Sequence, residues 1–405
     1  MDIEVRPCAS AEELRDAMNG IGHYFGFENQ LEDAERFGQW IETDRMIAAF
    51  EGDRIVGGAG GFTYRMSVPG GDSVPAGGTT VVGVLPSHRR RGVLTKMIRA
   101  HLEDCRTRGE VAAYLWASEA TIYGRFGYGL ASRMGRMTLA RDRAAFAVPF
   151  EPRGTVRIVD ETEAFATFPS LYDEVRKQRP GLNSRTDAWW QTRRLFDDPA
   201  RRFGAGPKNR ALLELDGNQA GYAIYNVKQD WLGGSSKGTV TITEVVTPTP
   251  EATRELWRWL LDFDWTSEFA ADLLPLDHPL FLLLAEPRRM LFQLNDGVWV
   301  RLLDVEAALS ARTYASDDSI VIDVRDTFLP DVAGRYRVTS TGTTRTDDDG
   351  DIELDITALG SVYLGGFTFA DLVRGSRATE RVSGSIERAD AMFRTSVEPW
   401  CAEIF

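Results

Sequence analysis

The stretch Thr80–Leu94 reads TVVGVLPSHRRRGVL. Thr79 to Leu85 is rich in β-branched residues, which predicts a strand, and Pro86 ends it. From Val93 the apolar residues Val93, Leu94, Met97, Ile98, Leu102 and Cys105 recur at helical spacing, and Gly109 closes the stripe. The stretch is therefore a strand that runs through a loop into a helix start. A helix start carries unpaired N–H groups and partial positive charge, Gly92 lets backbone approach closely, and Arg89, Arg90 and Arg91 add charge. That combination suits an anionic ligand. The spacing alone also suits a solvated basic loop, whereas a nucleotide P-loop is disfavoured because no Gly-Lys-Ser/Thr follows.

Working outward, the first segment alternates strands and helices. Ile3–Arg6 reads as a strand, and Ala11–Met18 as a helix with Ser10 as N-cap and Glu13 completing a capping box. Arg45–Glu51 and Arg54–Met66 form a hairpin about a Gly-Asp turn, and Val111–Ala117 returns as a strand. The rhythm recurs at Arg210–Asp216, Ala220–Val227, Val240–Thr247 and a helix over Glu251–Phe263. Placing Pro86 over Pro248 sets Arg89 against Glu251 and Gly92 against Arg254, so the second copy keeps the fold pattern and reverses the loop chemistry. From about Met290 come strands at Trp299–Leu302, Ser319–Asp326, Gly334–Ser340 and Ile352–Asp355, then short helices, an α+β pattern. The acidic run Asp347-Asp348-Asp349-Gly350 reads as a solvated hairpin turn, since no later Glu has calcium-loop spacing. The expected domains are 1–147, 148–288 and 289–405.

Composition narrows the chemistry. A chain of 405 residues, 43% hydrophobic and 26% charged, is an ordinary globular protein. Its net charge of −13 disfavours nucleic acid and anionic membranes as partners and favours cationic small molecules. Three cysteines, Cys8, Cys105 and Cys401, suggest a reducing compartment rather than a disulfide framework. The four histidines are far apart and none has metal-ligand spacing, so no metal site is expected. The acidic N-terminal region and short apolar runs predict a cytoplasmic protein.

The run Val82 to Gly92 resembles motif A of the GCN5-related N-acetyltransferases, in which Arg/Gln-x-x-Gly-x-Gly/Ala cradles the coenzyme A pyrophosphate; Leu94 replaces the usual final Gly or Ala. Downstream, Ala117–Gly129 (ASEATIYGRFGYG) resembles the second signature of the enhanced-intracellular-survival (Eis) type within that superfamily. Leu354–Phe369 (LDITALGSVYLGGFTF) is similar to a stretch of the family's carrier-like domain. The resemblance implies a mixed α/β (α+β) chain: a catalytic acetyltransferase domain, a degenerate second copy, and a domain like sterol carrier protein 2. It also implies acetyl-CoA as cosubstrate, no metal, a homohexamer, and an amine acceptor such as an aminoglycoside, a polyamine or lysine.

By the same resemblance, Val82, Val84, Arg89, Arg90, Arg91, Gly92, Val93, Leu94 and Ser118 contact the coenzyme. Tyr123 is the expected acid for the leaving thiolate, and the α-carboxylate of Phe405 the expected base. Backbone N–H groups around Val82–Val84 are placed to stabilise charge gained by the carbonyl oxygen. Phe25, Glu28 and Trp40 stand where the family builds its acceptor pocket, with Glu403 as a further lining residue. Each residue has a plainer reading: Tyr123 as a packed aromatic, Phe405 as a frayed tail, Glu28 as a solvated helix end, Glu403 as structural. A different class of function, a lipid or hydrophobe carrier with a vestigial coenzyme site, predicts loss of the loop or the acid, and both are present.

Overall fold

The computed structural model describes residues 3–405, which form two compact units. The first contains residues up to 132, 297–399 and 404–405; the second contains 133–296 and 400–403. Among the described residues no helix is long and apolar enough to cross a membrane.

The main sheet of the first unit has the spatial order Glu4–Pro7, Met46–Glu51, Arg54–Ser67, Ser73–Val84, Ala112–Trp116, Val298–Leu302, Gly129–Leu130. Its neighbours are antiparallel except Ser73–Val84 with Ala112–Trp116, which run parallel. The helices Ala11–Phe25 and Val93–Thr107 cover opposite faces. Successive strand residues show this: a Cβ on Gly57 would meet Met97 Cε at 3.2 Å, and one on Gly58 would meet Ala17 O at 2.5 Å. The glycines let both helix backbones sit close. The Ala11–Phe25 helix begins as expected, with Ser10 Oγ accepting from the Glu13 N–H at 3.3 Å. The reciprocal half of the capping box is not formed, because the Glu13 carboxylate instead accepts from Arg6 at 2.6 Å and the Ala9 N–H at 2.8 Å.

The first unit also holds a five-stranded sheet ordered Gly342–Arg345, Gly334–Thr339, Ser319–Arg325, Ile352–Asp355, Ala378–Glu380. The acidic run at 347–350 is not a hairpin turn, since the strands it joins, Gly342–Arg345 and Ile352–Asp355, are not neighbours. It crosses the sheet end, where Asp348 pairs with Arg337. A buried Arg301–Asp326 ion pair and the Phe126–Phe328 ring contact (5.2 Å) fasten this sheet's elements to the main one.

The second unit repeats the pattern: Gln293–Asp296, Arg133–Ala140, Glu268–Leu274, Thr239–Val246, Asn218–Lys228, Asn209–Leu215, Thr155–Ile158. Again one central pair, Thr239–Val246 with Glu268–Leu274, is parallel. Three strands fall on the other side of the boundaries drawn from sequence. Arg133–Ala140 pairs with Glu268–Leu274 and with Gln293–Asp296 in the second sheet, and Val298–Leu302 pairs with Ala112–Trp116 in the first. Strand partners are non-local, and no composition change marks any of these exchanges.

Candidate active site

The parallel pair in the main sheet is short. Ala76–Gly78 match Ala112–Tyr114, and parallel pairing ends at Gly78, while the other edge continues along Arg54–Ser67 as far as Gly57↔Val84. A register shift opposite Gly58–Gly60 puts Val81 at φ 52, a bulge that turns the strand. The backbone of Thr79–Val84, including Val82 and Val84, thus has no strand partner on this side, and Val84 O accepts from the Tyr24 hydroxyl at 2.7 Å. Thr79 Oγ1 is held at 2.7 Å from His101 Nε2 and 2.8 Å from the Tyr128 hydroxyl. Burial pushes His101 down to about 3, so this imidazole is neutral and part of the scaffold.

The arginine loop follows directly. Arg90 (φ 60) and Gly92 (φ 79) are both left-handed, and Gly92 is the N-cap of the Val93–Thr107 helix with no side-chain cap. A Cβ on Gly92 would meet nothing within 4 Å, so glycine is needed here for its φ rather than for room. The N–H groups that open the helix, at Val93 and Leu94, lack a side-chain cap. Arg91 donates to Glu51 Oε1 at 2.7 Å, whereas Arg89 and Arg90 are exposed and make no ion pair among the described residues. Two free guanidiniums beside uncapped N–H groups suit a pyrophosphate.

Tyr123 is 6% exposed, beyond the end of the Ala112–Trp116 strand and past the exposed Ser118. Its ring meets that of Tyr128 edge-on at 5.9 Å. Burial pushes the phenol up to about 12, so it keeps its proton through neutral pH, as a donor must. The Phe405 ring is also buried, 4.9 Å from Tyr114, 5.3 Å from Tyr64 and 6.3 Å from Phe62. It lies on Gly78, the residue at which parallel pairing stops: a Cβ there would be 3.2 Å from Phe405 Cε2 and 2.5 Å from Tyr64 Cε2. Gly78→Ala is expected to cost about 1–3 kcal/mol through overpacking, read as a lower urea midpoint with an unchanged slope.

On the acceptor side, Trp40 meets Phe37 (5.9 Å) and Phe37 meets Phe62 (5.6 Å), so a row of rings leads from Trp40 to Phe405. Phe25, 61% exposed, stacks with Phe27, and Glu28 is exposed in the loop after the first helix. Glu403 belongs to the second unit, where it is 4% exposed and pairs with Arg185 at 2.7 Å. Arg185 also holds the buried Glu244 at 2.5 Å. Glu403 thus sits in a buried ion cluster with Arg185 and Glu244. Sequence reading missed Gly78, Phe62, Tyr64, Tyr114 and Glu51.

The second unit shows what the same scaffold looks like without the loop. Its parallel pairing covers only Thr239–Ile242 against Glu268–Ala271, and a register shift opposite Ile224–Tyr225 reproduces the bulge. The diverging strands are lined by Glu244, Val245, Leu273 and Leu274, together with Trp400 and Ala402 of the C-terminal segment. The Trp400 indole N–H donates to Leu273 O. The helix begins early, at Pro250, capped by Thr249 Oγ1 accepting from the Ala252 N–H at 3.2 Å. Glu251 pairs with Arg153 at 2.8 Å.

A mixed sheet repeated twice, with its one parallel pair opening beyond a bulge, defines an acyltransferase of the GCN5-related class. Residues 4–131 and 181–302 match acetyltransferase (GNAT) domain families, and 305–402 match a sterol carrier protein domain family. An uncharacterized N-acetyltransferase of Streptomyces avermitilis is 38% identical over 388 residues, covering 94% of each chain. N-acetyltransferase Eis of Mycobacterium tuberculosis is 34% identical, covering 85% of each. The crystal structure of Eis1 from Mycobacterium abscessus superposes with a TM-score of 0.87 at 34% identity, over 99% of this chain and all of that one. The chain belongs to the Eis-type N-acetyltransferases, tandem GCN5-related domains followed by a sterol-carrier-like domain, and is an acetyltransferase.

Proposed function

We propose that the protein transfers the acetyl group of acetyl-CoA to an amine of a cationic small molecule, of aminoglycoside, polyamine or lysine type, by direct attack within a ternary complex. The observation that carries this reading is the Phe405 ring seated on Gly78, where the sheet opens. The ring lies at the point where parallel strand pairing stops.

Acetyl-CoA supplies an activated thioester. Arg89, Arg90, Arg91 and the N–H groups of Gly92, Val93 and Leu94 bind its phosphates, and the Val82 and Val84 backbone and Ser118 orient its acyl end. Tyr123 donates a hydrogen bond to the departing sulfur, and the Phe405 α-carboxylate accepts the amine proton. Phe25, Glu28 and Trp40 receive the acceptor, and the net charge of −13 draws cations toward the protein. The carrier reading of the whole chain gives way to its N-acetyltransferase relatives.

The test is thiol release from acetyl-CoA by the purified protein across aminoglycosides, polyamines and lysine peptides. Turnover with none of these amines would sink the proposed acceptor class. The early, capped helix of the second copy sets a further expectation. Calorimetry should find one coenzyme A per chain, and two equivalents would contradict the assignment of the cradle to the first copy alone.

A further inference from the structure

We propose that Glu51 is a positioning residue for the coenzyme: it clamps the Pro86–Gly92 loop in the shape that turns Arg89 and Arg90 outward. This rests on the loop being the coenzyme cradle. Glu51 ends the strand Met46–Glu51, far from the loop in sequence, yet both carboxylate oxygens reach it. His88 Nε2 donates to Oε2 at 3.0 Å and Arg91 to Oε1 at 2.7 Å. His88 is only 5% exposed, and its Nδ1 is 2.8 Å from Ser87 Oγ, so its ring is fixed from both sides. The two donors hold the Glu51 carboxyl down at about 2, leaving it ionised at working pH.

The clamp grips the loop at positions 88 and 91, and the two arginines without ion pairs, Arg89 and Arg90, lie between the grips. Arg90 has φ 60, a conformation that a non-glycine residue rarely adopts and that persists when its surroundings hold it. Simple electrostatics argues against a carboxylate here, since a negative charge beside a phosphate site weakens anion binding. Its presence calls for a compensating role.

The second copy supplies an internal comparison. Glu51↔Arg54 closes the first hairpin and Leu215↔Asn218 the second, so Leu215 stands where Glu51 does. Placing Pro86 over Pro248 puts Pro250 at the position of His88 and Thr253 at that of Arg91. All three members of the clamp are replaced together in the copy whose loop residues have been drawn into the helix.

The sign of one substitution separates clamp from bystander. Glu51→Gln removes a negative charge, so a bystander predicts unchanged or tighter binding, while a clamp predicts weaker binding. Coenzyme A affinity is measured by calorimetry, and KM and kcat for acetyl-CoA by thiol release, on the full chain carrying Glu51→Gln or Glu51→Ala. The expected result is a rise of about tenfold in Kd and KM for Glu51→Ala and a smaller rise for Glu51→Gln. In both, kcat stays within about twofold, because the chemical step is not touched. Unchanged or tighter coenzyme binding in both variants overturns the proposal. An Arg89→Ala/Gly92→Glu protein measured alongside distinguishes the two failures. If it binds weakly while the Glu51 variants bind normally, only the clamp is wrong; if it too binds normally, the loop assignment itself has failed.

Discussion

Converting the terminal carboxyl of Phe405 to an amide, by semisynthesis, should lower kcat by about 10²- to 10⁴-fold while leaving the fold intact. The amide keeps the phenyl ring, so the contacts with Tyr64, Tyr114 and Phe62 survive and only the charge is lost. An α-carboxyl with a reference pKa of about 3.5 is too weak to strip a free ammonium, whose reference lies near 10. It becomes useful once attack on the thioester makes the nitrogen acidic, and so it acts on the chemical step rather than on binding. Coenzyme KM should then stay near its original value. A short C-terminal extension should inactivate in the same way, because Phe405 is 9% exposed and its seat on Gly78 leaves no slack. An N-terminal tag of equal length, which adds the same bulk elsewhere, should be silent. Tyr123→Phe should also lower kcat more than it alters coenzyme binding, since the buried phenol is the proposed hydrogen-bond donor to the leaving sulfur. Full kcat in the extended protein with the same acceptor would overturn the terminal base and make Glu28 or a relayed water the next candidate.

What could be read from the sequence was what lies contiguous in it. The β-branched run, the arginine loop and the helix after Val93 are neighbours in the chain, so strand, loop and helix start could be placed before any fold was known. The repeat was legible for the same reason: Pro86 and Pro248 each end a β-branched run ahead of an amphipathic helix. The seat of Phe405 was not. Phe62 and Tyr64 lie on one strand, Gly78 on the next and Tyr114 on a third, and they meet through pairing and bulges that leave no mark on local periodicity. Gly78 belongs to a Pro- and Gly-containing stretch, Ser73–Gly78, whose strand character was hidden, so the expected strand began six residues late. Glu51 read as the end of a hairpin strand, and its partners His88 and Arg91 became visible only with the loop folded back on it. Glu403 is close to Phe405 in sequence, but its ion pair is with Arg185, a partner that no local pattern indicates.

The second large effect belongs to the loop: Arg89→Ala combined with Gly92→Glu should weaken coenzyme A binding by about 100-fold or more without unfolding the protein. Arg89 has no ion pair to lose among the described residues, so its removal is felt only by a ligand, and a charge-assisted hydrogen bond is worth about 1.5–3 kcal/mol. At position 92 a side chain meets no atom within 4 Å, so the change is not a steric one. Its cost is conformational, about 1–2 kcal/mol for a residue other than glycine held at positive φ. A glutamate at the start of the Val93–Thr107 helix recovers about 0.3–1 kcal/mol of that through the helix dipole. The fold therefore loses little, while the new carboxylate competes for the N–H groups that the phosphates would use and repels them. Gly92→Ala separates the two contributions. It carries the same φ strain without the charge, so it should bind coenzyme A far better than the glutamate variant while melting at a similar temperature. Calorimetry with coenzyme A, run beside thermal melts of all three proteins, checks the ordering. Equal affinity in the double variant and the unmodified protein would remove the loop from the coenzyme site and leave the three arginines as a solvated basic surface.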